Sequence, residues 1–375
     1  MSDLMSSLAA LRQAAQDPRA QMERYLAQGK KVVGCFAVYT PEELVHASGM
    51  IPFGIWGAQT ELREAKRYLP AFACSIMQTA LELGLRGSYR GLSAVIIPAL
   101  CDTFRCVTQD WRFGVTDIPV LPIVYPQNRS HPASVEFLIS EYETLLAKLS
   151  TITGCTMTED ALCRSIEVYN EHSAVMREFA LAANDHLDII TPAVRHQVMK
   201  SAFFYEKAEH TAIMRDIVAG LKERPVYDYR GKRAVLTGIM AEPEALLELL
   251  HDNGIAVVAD DLAQESRQYR TDIPMKGGGG VRRLALQWGA RKGCSLAHED
   301  EPTRSRMLAE LCRGSGATGV IACMMKFCDP EEYDFPSYDS DLKQQGIPTL
   351  FLEIDLLNTS YEQARTRIQT FGDML

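Results

Sequence analysis

The chain has ten cysteines but no Cys-x-x-Cys pair, which disfavours a zinc ribbon or finger. It has no apolar run near the ~20 residues needed to span a bilayer. It has no surplus of positive charge: the net charge is −9, which argues against nucleic acid or a membrane surface as the main partner. Its first residues, MSDLMSSLAALRQAAQDPRAQ, lack a basic n-region and an apolar h-region, so no secretion signal is read there. A cytoplasmic protein is expected, whose reduced thiols disfavour a disulfide framework. There is no G-x-S-x-G nucleophile elbow. The run Gly277 to Gly280 is not followed by Lys-Ser/Thr and joins no strand directly to a helix, so it reads as a flexible loop. His46, His131 and His298 show no ligand spacing and read as surface or packing residues.

What is present is an α/β pattern in two halves. At 375 residues, two or three domains are expected, and 47% apolar with 23% charged residues is ordinary for a globular protein. The stretch SAVIIPALCD, residues 93–102, contains an apolar run that reads as a buried parallel strand, stopped by Pro98 and followed by Cys101-Asp102. The pattern returns in TGVIACMMKFCD, residues 318–329, with Cys328-Asp329. Side chains just past the carboxyl ends of parallel strands face the functional crevice of an open sheet.

In order, an amphipathic helix with Leu4, Leu8, Leu11 and Ala15 on one face runs to about Gln28. Strands are read over residues 31–39, 51–57, 94–97 and 118–125. A helix begins at Thr40-Pro41-Glu42-Glu43, with Thr40 as N-cap of a capping box. Residues 132–222 contain no convincing strand and read as helices over 135–149, 159–183 and 208–221. A second α/β pattern follows, with strands at 233–240, 255–260, within 318–329 and at 348–355, and helices at 242–253, 304–314 and 361–375. The expected organisation is a helical segment 1–30, an α/β domain 31–131, a helical connector 132–229 and a second α/β domain 230–375. Two Rossmann-like or flavodoxin-like parallel sheets would face one shared crevice.

Cys74 is the third candidate for that crevice. It stands where ACSIMQTALELG becomes helical, and a helix N-terminus favours a thiolate over a thiol. Three thiolates from separated segments can bind three irons of a cubane and leave the fourth iron free. Cys106, five residues after Cys101, and Cys35, near a strand end, remain rivals; Cys323 lies inside an apolar strand and fits a core residue better. Arg267 and Arg270, in the polar loop after the strand at 255–260, are read either as contacts for an anionic substrate or a neighbouring subunit, or as a plain surface loop.

At ACSIMQ, PALCDT and MMKFCDPEEYD the chain resembles the 2-hydroxyacyl-CoA dehydratase family, which includes benzoyl-CoA reductase subunits. The likeness extends over essentially the whole chain, through VVADDLAQESRQYRTD to EQARTRIQTF, and is nearest the beta-type subunits. The resemblance implies one [4Fe-4S] cluster in this subunit, with Cys74, Cys101 and Cys328 as ligands and a non-protein fourth ligand. It implies a related alpha-type subunit as partner, and a separate ATP-hydrolysing iron–sulfur activator that injects one electron. The acyl-CoA substrate, held mainly by the partner, would lose its 2-hydroxyl group through a ketyl radical and leave as a 2-enoyl-CoA. This chain's cluster would relay the electron. An acyl-CoA reductase subunit, or a metal-free two-lobed binding subunit with all cysteines in the core, are the alternatives.

Overall fold

The computed structural model describes residues 3–299 and 303–375. The chain opens with two helices. In α1 (Leu4–Gln16), Leu8, Leu11, Ala14 and Ala15 form the buried side. The Asp17 carboxylate then accepts from the Ala20 amide at 3.1 Å, and Pro18 takes the first turn of α2 (Pro18–Ala27). An Asp-Pro pair caps and starts a helix at once, which splits the single helix expected to run to Gln28.

The first sheet follows: β1 (Val32–Phe36), α3 (Glu42–Ala47), β2 (Ile51–Ile55), α4 (Ser75–Leu85), β3 (Ala94–Ala99), α5 (Asp102–Gly114) and β4 (Val120–Val124). Its order is β2-β1-β3-β4, and every pairing is parallel. Residues 32–36 and 94–99 are buried throughout, as strands covered on both faces must be. Pro98 does not end β3; it pairs in register with Ile123. The ladder to β1 has already stopped at Cys35 opposite Ile96, so the missing proline N–H deprives no neighbour on that side. Thr40 does not cap α3 either. Its hydroxyl donates to the Phe36 carbonyl at 2.7 Å, and the cap position falls to Pro41.

Four helices come next: α6 (Ala133–Thr153), α7 (Glu159–Ala182), α8 (Pro192–Ser201) and α9 (Lys207–Lys222). No strand interrupts them. The sequence reading missed α8 because its buried side is polar. Arg195 and His196 are buried there on Asp260 at 2.9 Å and Glu265 at 2.8 Å.

The second sheet repeats the first: β5 (Lys232–Gly238), α10 (Glu244–Asp252), β6 (Ile255–Leu262), α11 (Ser266–Tyr269), α12 (Gly280–Ala290), α13 (Arg304–Ser315), β7 (Gly319–Met325), α14 (Asp329–Gln344), β8 (Thr349–Ile354) and α15 (Glu362–Met374). Its order, β6-β5-β7-β8, is the first order shifted by four, again all parallel. The tetraglycine stretch ends in a helix that the sequence reading omitted. The Gly280 amide, opening α12, donates to the Glu159 carboxylate at 2.6 Å. Among the described residues no helix is long and apolar enough to cross a membrane.

The two sheets share one apolar core, to which Val33, Ile96, Leu236 and Ile321 all belong. Polar contacts also tie the halves together beside α4. The Ser75 hydroxyl accepts from the Leu356 amide at 3.0 Å and lies 3.4 Å from the Met325 sulfur at the end of β7.

Candidate functional site

Three of the ten cysteines occupy the same kind of position. Cys74 is the N-cap of α4, Cys101 of α5 and Cys328 of α14. None of the three side chains makes a capping bond that would hold its sulfur to its own helix. The local sequence explains each. Pro70 and the turn after it deliver Cys74 extended (φ −63°, ψ 146°) to an apolar helix. Cys101 and Cys328 each follow the third strand of their sheet within a few residues, and Asp102 and Asp329 open the helices with the negative charge a helix N-terminus favours.

Phe327, next to Cys328, has φ 62°, a left-handed conformation for a bulky residue. Such strain costs about 1–3 kcal/mol and persists where the surroundings fix it. Here Cys328 N–H donates to the Met325 carbonyl at 3.0 Å, closing a tight turn between the end of β7 and the start of α14.

All three cysteines are half-buried, and their sulfurs feel one another. Cys328 senses the charges of Cys74 and Cys101, and Cys74 senses that of Cys101. The backbone amides of Cys74, Ile76 and Met77 point at the Cys74 sulfur, those of Thr103 and Phe104 at Cys101, and that of Glu331 at Cys328. Burial nevertheless outweighs these donors. It pushes the Cys74 thiol up to about 12 and raises Cys101 and Cys328 as well. The helix end favours a Cys74 thiolate, as the sequence suggests, but without a cation to compensate the charge desolvation outweighs it.

The rival cysteines go elsewhere. Cys106 is exposed on α5, one turn past its start. Cys35 and Cys323 are buried within β1 and β7. Cys294 is buried too, and accepts from the Tyr39 hydroxyl at 3.0 Å. Among the described residues no group of three His, Cys, Asp or Glu is spaced for a single metal ion. A four-iron cube is broader than one ion, so its sulfur ligands stand farther apart. Three thiols at three helix N-termini, with amide donors aimed at the sulfurs and no fourth cysteine among them, suit such a cluster with one iron left for a non-protein ligand.

Behind Cys328 lies a buried ion cage. Arg267 is fully buried, 3.0 Å from Asp261 and 3.1 Å from Glu331. Arg304 bridges the same two carboxylates, at 3.1 Å to Asp261 and 2.7 Å to Glu331, and reaches Asp334 at 3.2 Å. Arg270 also pairs with Asp261, and Ser295 donates to Glu331 at 2.7 Å. The sequence reading of Arg267 and Arg270 is overturned for Arg267: a guanidinium whose donors are spent on buried carboxylates meets neither substrate nor solvent. Its partners come from residues 261 and 331, too far apart in sequence for any motif to announce.

A second feature went unseen in the sequence. Between the halves lies a small cavity of about 70 Å³, lined by Tyr39, Tyr125, Tyr142 and Tyr169 with Glu43 and Arg291. Glu43 was read as part of a capping box. Burial instead pushes its carboxyl up to about 7. The Tyr125 hydroxyl donates to the Tyr39 carbonyl, and the Arg291 guanidinium lies 4.2 Å over the Tyr39 ring. No spacing rule marks four tyrosines that converge from two loops and two helices.

Comparison with known proteins identifies the family. The chain is 43% identical to the lactoyl-CoA dehydratase subunit beta of Anaerotignum propionicum over the full length of both chains. It is 43% identical to the (R)-phenyllactyl-CoA dehydratase beta subunit of Clostridium sporogenes, with 96% of each chain covered. It is 24% identical to a benzoyl-CoA reductase subunit of Thauera aromatica, over 92% of this chain and 91% of that one. The family model for 2-hydroxyglutaryl-CoA dehydratase, D-component, matches residues 37–375, and the chain belongs to that family.

Proposed function

We propose that this chain is the beta-type subunit of a 2-hydroxyacyl-CoA dehydratase, paired with a related alpha-type subunit, and that Cys74, Cys101 and Cys328 hold a [4Fe-4S] cluster. The observation that carries the cluster is the shared N-cap position of these three cysteines on three helices. Bound there, the cluster would supply one-electron transfer, relaying an electron from an ATP-dependent iron–sulfur activator toward the partner's acyl-CoA site.

The chain's own residues supply the setting. The helix N-termini and their amides stabilise sulfur-borne negative charge. The shared apolar core around Ile96, Ile321 and Met325 limits water behind the sulfurs. Few proton-transfer groups are needed for such a relay, in keeping with a site built from thiols rather than from an acid–base pair.

The dehydratase reading is favoured over the reductase because the dehydratase beta subunits are 43% identical to this chain and the reductase subunit 24%. The test is reconstitution of the chain with its alpha-type partner, the activator, ATP and a 2-hydroxyacyl-CoA under strict anaerobiosis. Formation of the 2-enoyl-CoA, lost when this chain is omitted, is expected. Reduction of an acyl-CoA without any dehydration would favour the reductase.

A further inference from the structure

Glu331 is three residues past Cys328, in the first turn of α14, and fully buried. The equivalent position after Cys101 is Phe104, an apolar residue, and after Cys74 it is Met77. Of the three cysteines, Cys328 alone has a carboxylate at this position. Glu331 is fixed there: Arg267 at 3.1 Å, Arg304 at 2.7 Å and Ser295 at 2.7 Å hold both its oxygens. Its negative charge reaches the Cys328 sulfur, which also accepts from the Glu331 backbone amide.

We propose that Glu331 is a positioning residue that sets the reduction potential at Cys328: its buried carboxylate, clamped by Arg267 and Arg304, disfavours an added electron on a group bound there. The inference rests on the cluster reading above and deepens it. The cage as a whole offsets its charges, with Asp261, Glu331 and Asp334 facing Arg267, Arg270 and Arg304. Removing one carboxylate leaves an uncompensated positive charge close to the sulfur. In a poorly screened interior that charge favours the reduced state. A low potential at this position suits a relay that hands its electron on to a hard-to-reduce thioester rather than retaining it.

The test is a redox titration of the anaerobically purified complex, following the signal of the reduced cluster against applied potential. In Glu331→Gln, which keeps the shape and removes the charge, the reduced-to-oxidised ratio at fixed potential should rise about tenfold, equivalent to about 59 mV for a one-electron couple. Glu331→Asp keeps the charge and changes the shape, and should titrate near wild type. A purely structural role predicts instead that Gln and Asp both destabilise the fold while the cluster that is retained titrates at the wild-type potential.

Asp334→Asn, at the half-exposed margin of the cage, should shift in the same direction by less and remains measurable if Glu331→Gln does not fold. Coincident titration of Asp334→Asn and wild type, or of Glu331→Gln and wild type, overturns the proposal. A wild-type protein without iron would overturn the cluster reading itself, a separate result.

Discussion

Cys101 and Cys328 are topological counterparts. Each caps the helix that follows the third strand of its sheet, β3 in the order β2-β1-β3-β4 and β7 in the order β6-β5-β7-β8. The repeat of the fold thus brings one cysteine from each half to the carboxyl ends of the strands, where ligands bind in open parallel sheets.

That equivalence separates Cys101 from its neighbour Cys106. Cys101→Ser should lose most of the iron from anaerobically purified protein, whereas Cys106→Ser, changing an exposed helix residue, should retain it. Equal iron loss in both variants would mean that α5 does not present Cys101 as the structure describes.

The ion cage predicts a large stability effect far from any substrate. Asp261 is fully buried and accepts from Arg267, Arg270 and Arg304. Asp261→Asn leaves three guanidinium groups short of a counter-charge, and breaking such buried pairs costs about 3–5 kcal/mol. Denaturant unfolding monitored by circular dichroism should show that loss. Burial raises the Asp261 pKa, but the arginines outweigh it and hold the carboxylate below its usual value. Its contribution is present above the unfolded-state pKa and disappears as pH falls through the folded-state value.

His196 gives the opposite pH dependence. Burial alone would lower its pKa, but Glu265 at 2.8 Å and Glu242 at 3.4 Å overcome that and push it up to about 9. A group with a raised folded-state pKa contributes full stability below its unfolded value, about 6.5 for histidine, and loses it as pH rises toward 9. Thermal melts of wild type should fall across that window. His196→Gln should be less stable at pH 6 and should flatten the decline; an unchanged slope would show that the ring is neutral throughout.

Gly238 of β5 pairs with Cys323 of β7. Its φ is 137°, and a Cβ there would stand 2.2 Å from the Cys323 carbonyl oxygen. Neither the conformation nor the backbone contact can relax around a side chain. Gly238→Ala should cost about 1–3 kcal/mol and reduce iron retention as well, because β7 carries the chain into Cys328. Wild-type stability would show that the two strands can part without consequence.

The elements that position the site were legible because their physics is local. Residues 94–97 and 319–325 are continuous apolar runs, the mark of strands buried on both faces, and Cys74 stands at a visible change from turn to helical periodicity. What the sequence hid depends on long-range pairing. Helix α8 reads as polar because Arg195 and His196 are buried by partners at residues 260 and 265. Arg267 reads as a substrate or subunit contact or as a plain surface charge, because its buried partner Glu331 lies 64 residues away. Pro98 reads as a strand terminator because only the finished sheet shows that β1 has already stopped beside it.

The central claim is that three N-cap cysteines hold one four-iron cluster. The most direct measurement is iron and acid-labile sulfide in the complex purified without oxygen, with this chain carrying Cys328→Ser in a parallel preparation. The account predicts about four irons and four sulfides fewer per complex in the variant. Identical iron and sulfide in the two preparations would contradict it.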